Sequence, residues 1–163
     1  AIYDESPDNR LPVTPQTDAG YNSVTFDIGR LTDKSDAAAA PARLEGSRLG
    51  DAITLQGWDI EDETLTLYWR ADRPLDRDYT VFIHLYDAAG ERIGQADGAP
   101  LAGDWPTSAW LPGQAFADSH PLGALPATLR VGLYDLLSGE RLRARRPDGS
   151  AWPTDAIILE VSP

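Results

Sequence analysis

Hydrophobic and polar residues alternate along much of the chain in short runs, and a period of two residues is typical of a half-buried β-strand. The strands that this alternation predicts are residues 24–31, 53–58, 64–69, 79–87, 92–96, 114–122, 128–135, 140–144 and 155–161. Residues 79–87 are apolar on both faces. That pattern predicts a central strand that is covered on both sides or faces a groove.

Two segments are near copies of each other: residues 84–93 read HLYDAAGERI, and residues 132–143 read GLYDLLSGERLR. Each has an apolar strand ending in Leu-Tyr-Asp, a turn that contains glycine, and Glu-Arg at the start of a return strand. This order predicts a β-hairpin in each copy. About eight or nine short strands with turn residues between them predict an all-β fold, an antiparallel β-sandwich with a jelly-roll or immunoglobulin-like strand order.

The first 20 residues contain three prolines and few large apolar side chains. We interpret residues 1–20 as an extended lead-in or linker and residues 21–163 as the sandwich domain, with a loop over residues 32–42. The chain begins at Ala1 and contains no methionine, signal peptide or apolar span. We therefore expect a processed or excised piece that does not itself insert into a membrane.

The formal net charge is −12, and the chain has no cysteine. A strongly acidic surface repels phosphate backbones, so we expect no nucleic-acid partner. The one basic cluster comprises Arg141, Arg143, Arg145 and Arg146. We interpret this cluster as a solvated edge, where arginine also discourages pairing between sheets.

The most distinctive stretch is the loop of residues 97–113, which is rich in proline, glycine and tryptophan. Trp105 and Trp110, with Asp97 and Asp104, are candidate ligand-binding residues because indole rings and carboxylates are the side chains of sugar-stacking sites. The alternative is that the tryptophans fold back over the open end of the sandwich, with their N–H groups bound to backbone carbonyls. Trp152 presents the same choice.

Histidine offers little for catalysis. His84 lies in the middle of a predicted strand and is a candidate ligand-binding residue, but the sequence favours a half-buried histidine that is hydrogen-bonded to a neighbour. Ser119 and His120 are adjacent, and neighbours on a strand point to opposite faces, so they cannot form a nucleophile–base pair. The sequence therefore predicts no catalytic residue.

Metal binding is not predicted either. Two distant histidines without cysteine argue against a structural zinc site. Calcium prefers oxygen ligands, and the acidic clusters offer them at residues 59–63, at residues 72–78, and at Asp97 with Asp104. None of these clusters matches an EF-hand or another metal signature, so we expect no cofactor, with calcium as the alternative.

Six short segments carry a resemblance to a known family: LQGWD at 55–59, LTLYWR at 65–70, DYTVFIHL at 78–85, QADGAP at 95–100, WPTSAW at 105–110 and RVGLYD at 130–135. In order and spacing they resemble the β-rich C-terminal domain of multi-spanning bacterial membrane proteins of the glycosyltransferase type, relatives of mannosyl and arabinosyl transferases. The resemblance implies an extracytoplasmic or cell-surface accessory domain of a membrane-anchored protein. It carries over no catalytic residue, because those transferases act through acidic residues in membrane-proximal loops.

Three functions remain. The first is a non-catalytic extracytoplasmic accessory module that binds glycan and is attached to a membrane-embedded glycosyltransferase-like protein. The second is a structural or protein–protein interaction module without a small ligand, which would show an exposed apolar patch or a sheet edge. The third is an acid–base glycoside hydrolase, which would need two carboxylates about 5–10 Å apart across a cleft.

Overall fold

The computed structural model describes residues 40–161. Within this part of the chain lie nine strands: β1 Arg43–Leu49, β2 Ile53–Glu61, β3 Thr64–Ala71, β4 Tyr79–Tyr86, β5 Arg92–Gln95, β6 Ala115–Pro121, β7 Thr128–Asp135, β8 Ala144–Arg145 and β9 Ile157–Glu160. The strand expected over residues 24–31 and the boundary expected after the lead-in of residues 1–20 lie outside the described residues.

The strands form two antiparallel sheets that pack face to face. The order in the first sheet is β6-β3-β2-β1-β8, and the order in the second is β5-β4-β7-β9. Fully buried side chains from both sheets fill the space between them, among them Leu55, Leu67, Trp69, Ile83, Val131 and Leu133. The predicted antiparallel β-sandwich is therefore confirmed, and most predicted strands lie within a few residues of the observed ones.

Strand β4 is central, as its two apolar faces predicted, because it pairs with β5 on one side and with β7 on the other. Val81, Ile83 and Leu85 belong to the core between the sheets. The alternate residues Phe82 and His84 must therefore lie on the outer face of the second sheet.

The strand predicted over residues 140–144 is wrong. After β7 the chain turns and Arg141 makes one isolated bridge to Tyr134. It then crosses to the first sheet, where Ala144 pairs with Leu49 of β1. The alternation in this segment is real, but β9 pairs with β7 along residues 128–131 and leaves no room for a longer return strand there.

Strand β1 was not predicted, and its irregular register explains why. Its pairing with β2 shifts between Leu44 and Ser47, and Gly46 there has a φ of 97°. This bulge breaks the period of two residues. Only Ser47 and Leu49 of the strand are buried, so no apolar alternation marks it in the sequence.

The two near copies form a local two-fold pair in the second sheet. Equivalent residues of the two copies are 48 positions apart in sequence. Ile83 of β4 and Val131 of β7 are also 48 positions apart, and they are directly paired in the sheet. In an antiparallel pair, a half-turn about an axis through that pair exchanges the two copies. The operation carries Tyr86 onto Tyr134 and His84 onto Gly132.

The repeated aspartate explains both turns. Oδ1 of Asp87 accepts the N–H groups of Ala89 and Glu91, each at 2.9 Å. Oδ1 of Asp135 likewise accepts the N–H of Leu137 at 2.8 Å. An aspartate that binds backbone amides further along the chain stabilises a reversal, so the Leu-Tyr-Asp motif is a turn-forming signal.

Candidate functional site

The tryptophan-rich loop, residues 97–113, packs onto the sandwich. Trp110 is only 1% exposed and stacks on Phe116 of β6 with ring centroids 4.6 Å apart. Its Nε1–H donates to the carbonyl oxygen of Trp105 at 3.1 Å. Both of its ring faces and its polar atom are thus used inside the protein, and we correct the candidate assignment: Trp110 is a core residue with no surface for a ligand.

Buried polar groups fasten the same loop to the sheets. The fully buried carboxylate of Asp118 accepts the backbone N–H of Leu101, the indole N–H of Trp69 and a ring nitrogen contact from His120, at 2.8, 3.1 and 2.8 Å. The hydroxyl of Thr107, also fully buried, accepts the N–H of Tyr79 at 2.9 Å. The loop therefore joins the edge strands β5 and β6 of the two sheets and packs on the core. The structural alternative is met for Trp110, whose N–H is bound to a backbone carbonyl, but not for Trp105.

The remaining loop candidates lie nearer the surface. Trp105 is half-buried, its ring 6.3 Å from that of Phe116, and its Nε1 has no hydrogen-bond partner among the described residues. Asp104 is exposed, and its backbone N–H donates to the carbonyl of Leu101. Among residues 40–161, the ring of Trp105 contacts that of Phe116 and no other aromatic ring.

Trp152 has a structural role as well. Its Nε1–H donates to Oγ of the buried Ser47 at 2.8 Å, and the Arg146 guanidinium lies over its ring at 3.9 Å. The tryptophan thus holds the segment before β9 against β1. One face of the indole is covered by the arginine, so Trp152 offers less surface to a ligand than its sequence position indicated.

The outer face of the second sheet has a different character. We call it the aromatic–arginine face and define it by Phe82, His84, Tyr86, Arg92, Arg130, Tyr134 and Arg141. These residues come from β4, β5, β7 and the crossing segment after β7. Of the earlier candidates, the face contains His84 and has Asp97 at its margin.

Two guanidinium groups of this face lie over aromatic rings. Arg130 is 4.3 Å from the ring centroid of Tyr86, and Arg141 is 4.1 Å from that of Phe82. The Phe82 ring packs against Gly132, where an added methyl group would be 2.5 Å from the ring. A guanidinium held over a ring keeps its N–H donors pointing outward from a fixed plane.

Among the described residues, the arginines of the face form no ion pair. Within residues 40–161, no carboxylate oxygen lies within 4.0 Å of the guanidinium nitrogens of Arg92, Arg130 or Arg141. Arg92 donates to the side-chain oxygen of Gln95, and Arg141 donates to the carbonyl of Thr154 at 3.0 Å. Three positive charges without carboxylate partners contrast with a chain whose net charge is −12.

The pKa of His84 depends on these charges. Its burial lowers the pKa of the imidazole, and the positive charges of Arg92, Arg141 and Arg130 lower that pKa further. The carboxylate of Asp97 acts in the opposite direction. Oδ1 of Asp97 accepts the backbone N–H of Ile83 at 3.0 Å, which fixes the carboxylate beside the face.

A cavity of about 470 Å³ lies next to the face, at the end of the sandwich where the chain crosses between sheets. Its charged lining comprises Asp51, Arg77, Asp135, Glu140, Arg141, Arg143 and Arg145. Arg77 is already paired with Asp135, at 2.9 Å. That pair, together with the turn amides, lowers the pKa of the Asp135 carboxyl.

Other chemistry finds less support in the described residues. Ser119 and His120 point to opposite faces of β6: the serine is exposed and contacts Thr66, whereas the histidine is buried beside Asp118. Residues 40–161 contain no group of three or more histidine, aspartate or glutamate side chains arranged to hold a metal ion. No helix in this part of the chain is long and apolar enough to cross a membrane.

Most residues of the face were missed by sequence reasoning. Tyr86, Tyr134, Arg92 and Arg141 all belong to the repeat, whose pattern in the sequence predicts only hairpins and their turns. The signal that could have found them is the combination of the repeat with a strand that is apolar on both sides. That combination places equivalent aromatic residues on one outer face once the two copies pair.

Comparison with known proteins adds no family. No protein-family model matches the chain, and no curated protein matches it. The resemblance to membrane-bound glycosyltransferases stays a prediction on the quoted motifs. The face and the neighbouring cavity are therefore the features on which a functional proposal has to build.

Proposed function

We propose that this domain is a non-catalytic accessory module that binds glycan on the aromatic–arginine face. The observation that supports it most is the pair of guanidinium groups held over Tyr86 and Phe82 on an outer sheet face. Side chains fixed in this way lose little conformational freedom when a ligand binds. Their N–H groups fit the hydroxyl and oxygen acceptors of a sugar chain, and the partly exposed tyrosine rings fit its apolar C–H surfaces.

The cellular setting is part of the same proposal. The resemblance of its motifs to those of glycosyltransferase-like membrane proteins supports an extracytoplasmic domain that is attached to a membrane-embedded partner in the same polypeptide. A glycan-binding face on such a domain would keep a sugar polymer close to the enzyme. No residue of the domain is assigned a role in bond formation.

The experiment is a glycan-array screen of the full chain, followed by calorimetric titration of each hit. Tyr86→Ala and Arg130→Ala should lose the hits, because these residues form a stacked pair on the face. Arg43→Ala is the matched control, since it removes a guanidinium that lies 4.5 Å from the Trp58 ring in the first sheet. Hits that survive both face variants would contradict the proposed face, and a folded protein without hits would contradict glycan binding.

A protein–protein interaction module is the second candidate, and one observation favours it. Leu136 and Leu137, at the turn after β7, are 68% and 98% exposed. Large apolar side chains at a loop tip are a common anchor for a protein partner. Self-association that is lost in Leu137→Ser, together with an empty glycan screen, would support this candidate.

Acid–base hydrolysis is the third candidate and has the weakest support. The cavity contains Asp135 and Glu140, but a general acid needs a raised pKa, whereas that of Asp135 is lowered. Turnover of an aryl glycoside that is abolished by Glu140→Gln would support hydrolysis.

A further inference from the structure

We propose that the glycan bound by the aromatic–arginine face is acidic, a sugar chain whose carboxylate or phosphate groups are held by Arg92, Arg130 and Arg141. This inference rests on the proposed glycan-binding function and names the class of ligand. Hydroxyl groups alone would be satisfied by amide and hydroxyl side chains. The face instead gathers three guanidinium groups, which are the side chains best suited to oxyanions.

The first argument is the distribution of charge. A chain with a net charge of −12 repels anions over most of its surface. On this face, however, three positive charges stand close enough that each of them affects His84. These like charges have no carboxylate partner within residues 40–161. They repel each other, and an oxyanion on the face relieves that repulsion. Among the acidic groups around the face, Asp97 and Glu160 lie at opposite margins of the sheet, and Glu140 lines the neighbouring cavity with Arg141.

The second argument is the spacing of the arginines along β4. The Arg130 guanidinium lies over Tyr86, the Arg92 guanidinium donates to Gln95, which is paired with His84, and the Arg141 guanidinium lies over Phe82. These three levels on one face of the strand are two residues apart, a step of about 7 Å along the strand. A row of positive charges with a regular step matches an extended polymer with repeated negative groups better than a single small anion.

The third argument is continuity at the end of the row. Arg141 lines the neighbouring cavity of about 470 Å³, whose lining also contains Arg143 and Arg145, the ion pair of Arg77 with Asp135, and the carboxylates of Asp51 and Glu140. Guanidinium groups therefore continue from the outer face round the end of the sandwich. An acidic chain that lies along β4 would meet two further arginines, Arg143 and Arg145, where it leaves the sheet, beside the carboxylates of Asp51 and Glu140.

The test uses an oligogalacturonide, its fully methyl-esterified form and a phosphate-bearing oligosaccharide as probes, titrated calorimetrically into the full chain at low and at high salt. The acidic probe should bind and lose affinity as salt rises, and its neutral ester should not bind. Arg92→Ala and Arg130→Ala should each weaken binding by about 10- to 100-fold, the equivalent of one charge-assisted hydrogen bond. Arg43→Ala, on the other sheet, should leave the affinity unchanged.

The outcomes separate this inference from the proposed function. Equal, salt-independent binding of the acid and its ester would overturn the acidic ligand and leave glycan binding intact. Binding of the phosphate-bearing probe alone, with the same dependence on Arg130, would support the inference with phosphate as the oxyanion. No binding of any probe, together with an empty array screen, would overturn both.

Discussion

The tryptophan-rich loop and the aromatic–arginine face both carry aromatic rings, but the rings have opposite roles. In the loop, the indole of Trp110 is stacked on Phe116 and its N–H is bound to the backbone. On the face, Tyr86 is half-buried on the outside of the sheet, and its cover is a flexible, charged side chain, Arg130. The first arrangement closes the sandwich, and the second leaves donors and ring edges available to a ligand.

The comparison shows that an aromatic residue in a loop is not more accessible than one in a strand. A loop at the open end of a sandwich must cover the exposed core, and large rings do this with few residues. The outer face of a central strand can face water, and on this face Tyr86 and Tyr134 are half-buried, whereas Phe82 is covered by Arg141 and is only 2% exposed. Aromatic side chains kept there have a reason other than packing between the sheets.

The largest effect is expected from Trp110→Ala. Truncating this buried ring should lower the free energy of unfolding by about 3–5 kcal/mol, because the cavity next to Phe116 cannot collapse fully. Tyr86→Ala is the matched change on the face and should cost only about 1 kcal/mol, since its ring is partly exposed. Denaturant unfolding of the full chain measures both values. Similar losses in the two variants would remove the distinction between loop and face.

Next in size is Asp118→Asn. Its carboxylate accepts contacts from Leu101, Trp69 and His120, so an amide N–H₂ in its place leaves at least one buried donor facing another donor. We expect a loss of about 1.5–3 kcal/mol in the free energy of unfolding. Asp104→Asn, an exposed aspartate of the same loop, is the control and should change stability very little. If Asp104→Asn lowers the free energy of unfolding and Asp118→Asn does not, Asp118 does not hold the loop against the sheets.

A third variant, Gly132→Ala, tests whether the face is rigid. The added methyl group would lie 2.5 Å from the Phe82 ring and 3.1 Å from the carbonyl oxygen of Asp155, and overpacking of this kind costs about 1–3 kcal/mol. Gly94→Ala, in β5 of the same sheet, meets only the Leu85 side chain at 3.8 Å and should be neutral. If calorimetric unfolding shows no difference between the two, Phe82 is loosely held and the face is not preformed.

The sequence was sufficient to predict the fold because alternation survives wherever one side of a strand is buried. Strands β3 and β7 have regular alternation and were predicted well, whereas the bulge at Gly46 hid β1. The return after Asp135 was misjudged for a different reason. The segment after Asp135 and strand β9 compete for the same edge of β7, and β9 pairs there. Because β9 lies far away in sequence, no local pattern predicts which of the two will pair with β7.

The candidate site was harder to predict because it depends on strand pairing. His84 was singled out from its position, but its neighbour Arg130 is 46 positions away in sequence and adjacent only through the register of β4 and β7. The burial of Trp110 likewise depends on contacts with β6. Residue type alone favours the loop as the ligand site. It does not predict which aromatic side chains become buried in the fold.

The smallest effect expected is a change in the pKa of His84, which tests whether the face acts as one electrostatic unit. Arg130→Ala removes a positive charge that opposes protonation, so it should raise the His84 pKa, whereas Asp97→Asn should lower it further. In the wild type the folded pKa is below that of an exposed histidine, so stability is complete above the unfolded pKa and falls as the pH drops through the folded value. Ring resonances followed by NMR against pH give the direction, with Arg43→Ala in the first sheet as the control. If the His84 pKa stays constant in Arg130→Ala, the arginine charges do not act on one common site. They would then be less able to bind a single acidic chain jointly.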